Sequence, residues 1–126
     1  MTPDELRTWC LEMPGSQETF PFAPETSVFK VAGKMFALSR LDGEPLQVSV
    51  KCEPALAEQL RLSHPAIAPG YHLNKRHWNT ITLDGSLGDG MVRDLIEDSY
   101  ALVVDALPRR AREALDPGTA SAGGSR

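Results

Sequence analysis

Ser27-Val28-Phe29-Lys30-Val31-Ala32-Gly33-Lys34-Met35-Phe36-Ala37-Leu38-Ser39 is the stretch on which the architecture turns. Two apolar runs, Ser27 to Val31 and Lys34 to Ser39, flank Ala32-Gly33, and so short a glycine-containing connection marks a tight hairpin between antiparallel strands. Downstream, Asp42-Gly43 supplies another turn, after which Leu46, Val48 and Val50 alternate with Gln47, Ser49 and Lys51, the period of a strand with one dry and one wet face. Upstream, Thr19-Phe20-Pro21-Phe22 reads as a short extended piece that Pro21 confines to a sheet edge. Together these segments predict an antiparallel meander.

Helices flank it. Thr2-Pro3-Asp4-Glu5 combines a cap, a proline at the first helical position and the acid of a capping box, and Leu6, Trp9, Cys10 and Met13 then form one stripe before Pro14-Gly15 ends the helix. Pro54 opens a second helix whose Leu56, Ala57 and Leu60 share a face and which stops before His64-Pro65. Pro65 to Gly70 reads as a loop stiffened by two prolines. The octapeptide Tyr71 to Trp78 fits neither period, and Asn79 to Leu83 is a last strand closed by Asp84-Gly85. Asp89 is the expected cap of a final helix with the stripe Val92, Leu95, Ile96, Ser99, Leu102, Val103 and Ala106, ended by Pro108. The predicted fold class is α+β in two layers, an antiparallel sheet packed by helices in the order α-β-β-β-β-α-β-α. The domain is expected to span 1–115, and the small, polar residues of 116–126 to form a disordered tail.

The 126 residues at 13.7 kDa suffice for one ordinary domain, and 41% hydrophobic content spread along the chain excludes a disordered or collagen-like polymer. The apolar runs are too short to span a membrane, and the acidic start is unlike a signal peptide, so a soluble, cytoplasmic protein with no membrane partner is expected. Cys10 and Cys52 cannot form a disulfide framework and read as reduced, partly buried small hydrophobes. The net charge of -4 argues against a protein that grips nucleic acid with its whole surface. Its distribution is uneven: residues 1–27 carry -4 and 83–126 carry -3, whereas 28–82 carry +3 and hold every lysine of the chain. Such a pattern makes either a local anion-attracting face or plain solubility.

The order of elements and several strings together resemble the MmcQ/YjbR family of small bacterial proteins, within the YjbR/CyaY-like superfamily. The strings are Pro14-Gly15 with Glu18; Pro21-Phe22; Val28-Phe29-Lys30-Val31 with Gly33-Lys34-Met35-Phe36; Lys51-Cys52 with Pro54; Pro69-Gly70 through Asn79-Thr80; and Ser99-Tyr100. The match runs from Thr2 to about Pro108. The resemblance implies a secretion-chaperone-like or frataxin-like two-layer fold and a DNA-binding role through a double-wing motif. It implies no enzyme activity, metal or cofactor, and a fold carries no function by itself.

For nucleic acid the candidate residues are Lys30, Lys34, Lys51, His72, Asn74, Lys75, Arg76 and His77. Lys and Arg hold phosphates, Asn bonds a base edge or a phosphate, and Tyr71 or Trp78 offers a ring for stacking. Lys34 beside Gly33 sits where a wing would touch the backbone. The competing structural reading makes Trp78 and Tyr71 core anchors, ties the loop down through His72 and His77, and leaves the charges solvated, with burial the expectation for Trp78. His64, His72, His77 and Cys52 lack the spacing of a zinc site, and Asp4, Glu5 and Glu12 are too few for a frataxin-like iron surface. Cys52, beside Lys51 and ahead of a helix, reads as a lowered-pKa nucleophile or, preferably, as a buried thiol. No Gly-x-Ser-x-Gly, Walker or dinucleotide motif occurs. The expectation is a monomeric, non-enzymatic protein without catalytic residues, metal or cofactor. Its partner is DNA or, as the alternative, a protein held by a chaperone-like or regulatory module.

Overall fold

The computed structural model describes residues 1–115, and the expected tail at 116–126 lies outside the described residues. The elements run α1 (Pro3–Leu11), β1 (Ser16–Thr19), β2 (Ser27–Val31), β3 (Lys34–Ser39), β4 (Gln47–Lys51), α2 (Pro54–Ser63), β5 (Ile67–Pro69), β6 (Trp78–Thr82), α3 (Asp89–Asp105) and α4 (Arg109–Ala114). One sheet of order β1-β2-β3-β4-β6-β5 is antiparallel at every pairing. The predicted α+β class holds.

The β2–β3 hairpin turns through Ala32 and Gly33, whose φ values of +50° and +79° both lie in the left-handed region, the conformation that matches strand twist in a two-residue loop. Register then slips: Phe29 faces Ala37 while Lys30 faces Met35, so Phe36 is an extra residue in β3. This bulge puts Phe36 and Ala37, neighbours in sequence, both into the buried core. α1 starts on the capping box, with Glu5 N–H donating to Thr2 Oγ1 at 3.1 Å and Thr2 N–H to Glu5 Oε1 at 2.8 Å. Leu6 and Cys10 of its stripe are fully buried.

α3 lies across β2, β3 and β4, and the core fills the space between that helix and Phe29, Val31, Val48, Val50 and Ile81 of the sheet. Ser99 fastens it: its hydroxyl donates to Phe36 O at 2.6 Å and accepts from Lys51 N–H at 2.8 Å, so one side chain joins α3 to two strands.

Several details depart from the sequence reading. The first strand is Ser16–Thr19 rather than 19–22 and ends ahead of Phe20-Pro21, since a proline there cannot extend the ladder. The segment between Pro65 and Gly70, expected as a loop, contains β5, a three-residue edge strand that tolerates prolines because it pairs on one side. α3 ends at Asp105, ahead of Pro108, which stands as the cap of a further helix, α4. Gly88, not Asp89, caps α3, and Asp89 is its first helical residue. In α2 only Ala57 is fully buried, and Leu56, expected on the same face, is 40% exposed.

Candidate functional site

Strand alternation sorts the middle of the chain onto two faces. Phe29, Val31, Ala37 and Val50 join the core beneath α3, so their neighbours Lys30 and Lys51 project on the opposite face. Lys30 stands opposite Met35 and Lys51 opposite Trp78. With β3 between their strands, the two backbones lie about 10 Å apart. Both positions are at the end of the sheet where β2 and β4 finish and β3 and β6 begin. Lys34, exposed, is the residue that leaves the hairpin turn at that same end, and the segment carrying Lys75, Arg76 and His77 leads directly into β6 there. Five basic side chains from separate parts of the sequence, Lys30, Lys34, Lys51, Lys75 and Arg76, therefore share one end of the sheet. None of them takes part in an ion pair among the described residues.

The remaining two basic residues of the middle third do not join them. Arg40 lies at the far end of β3, where its guanidinium bonds Asp42 at 2.9 Å, and that carboxylate pushes the Arg40 pKa up. Arg61 turns inward from α2: its Nε donates to Asn79 Oδ1 at 2.7 Å and its terminal nitrogen to the carbonyls of Lys75 and Trp78. Arg61 is thus a strut for the octapeptide, a role that its sequence neighbours do not announce.

That octapeptide is held from several sides. Gly70 N–H donates to Trp78 O at 2.8 Å, Lys75 Nζ to Gly70 O at 3.0 Å, and Cys52 N–H to His77 O at 2.8 Å. Asn74 Oδ1 accepts from the backbone N–H groups of Arg76 and His77 at 2.9 and 3.3 Å, closing a turn on itself. Its carboxamide oxygen serves the loop. Trp78 is buried, as expected, and offers no ring for stacking. Tyr71, a core anchor in the competing reading, is 73% exposed and lies against the His72 ring at a centroid distance of 4.0 Å. The backbone of His72 has φ +59° and its side chain is exposed; backbone bonds with the Arg61, Asn74 and Lys75 side chains, not the histidine rings, tie the loop down among the described residues.

The low-pKa reading of Cys52 is corrected. Burial, with Asp98 and Glu53 nearby, pushes its thiol pKa up rather than down, and the nearby Arg61 does not reverse this. Cys10 is pushed up to about 12, chiefly by burial. Among the described residues no three His, Cys, Asp or Glu side chains gather as a metal site would require, and no helix is long and apolar enough to cross a membrane.

The family model described as YjbR matches residues 11–102. The chain belongs to the YjbR family. Curated YjbR-family relatives include the uncharacterised Escherichia coli O157:H7 protein YbdF, 40% identical over 109 residues that cover 86% of this chain and 88% of that one. The uncharacterised YjbR of Escherichia coli K12 is 37% identical over 115 residues, covering 91% and 98%. Among solved structures, the Deinococcus radiodurans protein DR2400, of domain DUF419, superposes with a TM-score of 0.85 at 46% identity, covering 90% of this chain and 87% of that one. A Pseudomonas syringae protein gives a TM-score of 0.70 at 29% identity over 81% and 98% of the two chains. The YjbR fold of these neighbours is the sheet-and-helix arrangement described above.

Proposed function

We propose that this chain is a non-enzymatic, phosphate-gripping DNA-binding protein that docks the basic end of its sheet on the duplex backbone. The observation that carries the proposal is the sharing of one sheet end by Lys30, Lys34, Lys51, Lys75 and Arg76, without ion-pair partners among the described residues, on a chain of net charge -4. In this reading the β2–β3 turn acts as one wing, with Lys34 at its tip, and the braced loop before β6 acts as the other. Clustered cations release counterions when they meet phosphates, which supplies affinity without sequence preference, while the acidic remainder limits the footprint.

Fluorescence anisotropy with a labelled duplex tests it. Binding should weaken steeply with salt, and Lys30→Gln with Lys51→Gln should flatten the logarithmic salt slope by roughly 0.9 for each phosphate that the variant no longer neutralises. These two residues are preferred to Lys75, whose ammonium also braces Gly70 O. No binding at about 50 mM salt rejects the proposal, since a phosphate-driven interaction is strongest at low ionic strength.

A second reading, a regulatory protein-interaction module, rests on a groove of about 260 Å³ between α2 and α3. Leu56, Leu60, Ile67 and Leu102 line it, with Glu53, Asp98 and Asp105 also at its walls. Nuclease-insensitive recovery of one protein in stoichiometric amount, abolished by Leu102→Glu, would favour that reading.

A further inference from the structure

The open face of the sheet holds a cleft of about 550 Å³ that lies toward the end away from the lysines. Its floor is the central strands, with Leu38, Ser49 and Thr80, and two connections from opposite sheet edges close over it: the β1–β2 connection brings Phe22, and the β5–β6 loop brings Tyr71 and His72. Its size falls within the roughly 300–1,000 Å³ typical of small-molecule sites. Phe22, 67% exposed, and Tyr71, 73% exposed, are large rings kept at the surface of a protein that buries Phe29, Phe36 and Trp78.

The floor carries an unused hydrogen. Ser49 Oγ and Thr80 Oγ1 are 2.8 Å apart and both residues are more than nine-tenths buried, while Thr80 Oγ1 also accepts the Tyr71 backbone N–H at 3.1 Å. The pair has two hydroxyl hydrogens, and only one of them can lie between the two oxygens. Whichever residue donates, the second hydroxyl hydrogen has no acceptor among the described residues, and both side chains line the cleft. A hydroxyl that lines an open cleft bonds water there, and a ligand acceptor that takes that water's place keeps the hydrogen bond. The mouth sets the charge of the visitor. Arg40 is already bonded to Asp42, Glu25 also bears on it, and Glu44 lines the cleft. A rim with more carboxylates than cations disfavours an anionic visitor.

We propose that this cleft binds a small, uncharged, flat heteroaromatic molecule, its ring against Phe22 and Tyr71 and a carbonyl oxygen or ring nitrogen accepting the free Ser49–Thr80 hydroxyl. The cleft lies away from Lys30, Lys34 and Lys51, and it shares with the basic end only the loop that carries Tyr71 and His72 as well as Lys75 and Arg76.

Nitrogen-resolved NMR of the full chain, titrated with uridine and adenosine as probes, tests this. Saturable shifts should centre on Ser49, Thr80, Tyr71 and His72 at millimolar nucleoside, and indole, flat but without an acceptor, should bind about tenfold more weakly. Ser49→Ala combined with Thr80→Val removes both hydroxyls and should weaken binding about tenfold, whereas Lys30→Gln, at the other end of the sheet, should leave it unchanged. Should the double variant not fold, Phe22→Ala, at an exposed position, should weaken binding by a similar factor. Absence of saturable shifts overturns the proposal, as does unchanged binding by the double variant. Tighter binding of uridine 5′-monophosphate, or of a single-stranded oligonucleotide at the same amides, shows an anionic occupant and overturns it too.

Discussion

Gly70 and Ala32 show how single positions govern this chain, in opposite senses. A Cβ on Gly70 would stand 2.7 Å from Trp78 Cβ and 3.0 Å from Trp78 O, against a strand that cannot retreat. Gly70→Ala should therefore cost about 1–3 kcal/mol in denaturant unfolding, and the amide signals of 71–77 should shift with it. Ala32, by contrast, is a side chain where the turn wants none: at φ +50° it carries a left-handed penalty, and the next residue is already glycine. Ala32→Asn should raise stability by about 0.5–1 kcal/mol, read as a higher denaturation midpoint at unchanged slope. The hairpin is legible in the sequence because its chemistry is local, whereas the reason for Gly70 is its packing against Trp78, which the chain alone does not place.

Among the elements, α3 is the easiest to read and its most important contact the hardest. The apolar stripe through Val92, Leu95, Ile96 and Val103 is buried as its period requires. Ser99 sits within that stripe as a polar interruption, yet it is fully buried and ties Phe36 O and Lys51 N–H to the helix. Ser99→Ala should destabilise by about 1–3 kcal/mol, because it leaves a strand N–H in the interior without an acceptor, and hydrogen exchange at Lys51 should accelerate. β5 escapes a sequence reading because three residues have no period to detect and the two prolines read as loop. Only its pairing with β6 makes it a strand. The role of Arg61 escapes a sequence reading for a similar reason: nothing near it in sequence foretells Asn79 and the Lys75 carbonyl as its partners.

At the scale of the whole molecule, burial also sets a response to pH. The Cys10 thiol has an ordinary value of 9.0 when exposed and about 12 in the fold, so the unfolded chain releases this proton first as pH rises. Its contribution is fully present below pH 9 and declines progressively from there toward 12, by up to about 4 kcal/mol. Urea unfolding at stepped alkaline pH should show that decline, and Cys10→Ala should lessen it. The thiol should likewise resist alkylation in the native protein at neutral pH and react on unfolding.

The chain by itself determined the meander, the three principal helices, the burial of Trp78 and the concentration of lysine in its middle third, because turns, caps and periodicities act between residues near one another in sequence. Tertiary structure alone decided which five of seven basic groups share an end of the sheet, that Arg40 and Arg61 are engaged elsewhere, and that Phe22, Ser49, Thr80 and Tyr71 enclose one cleft. Those outcomes depend on strand register and sheet order, and a shift of one residue would send each of these strand side chains to the other face.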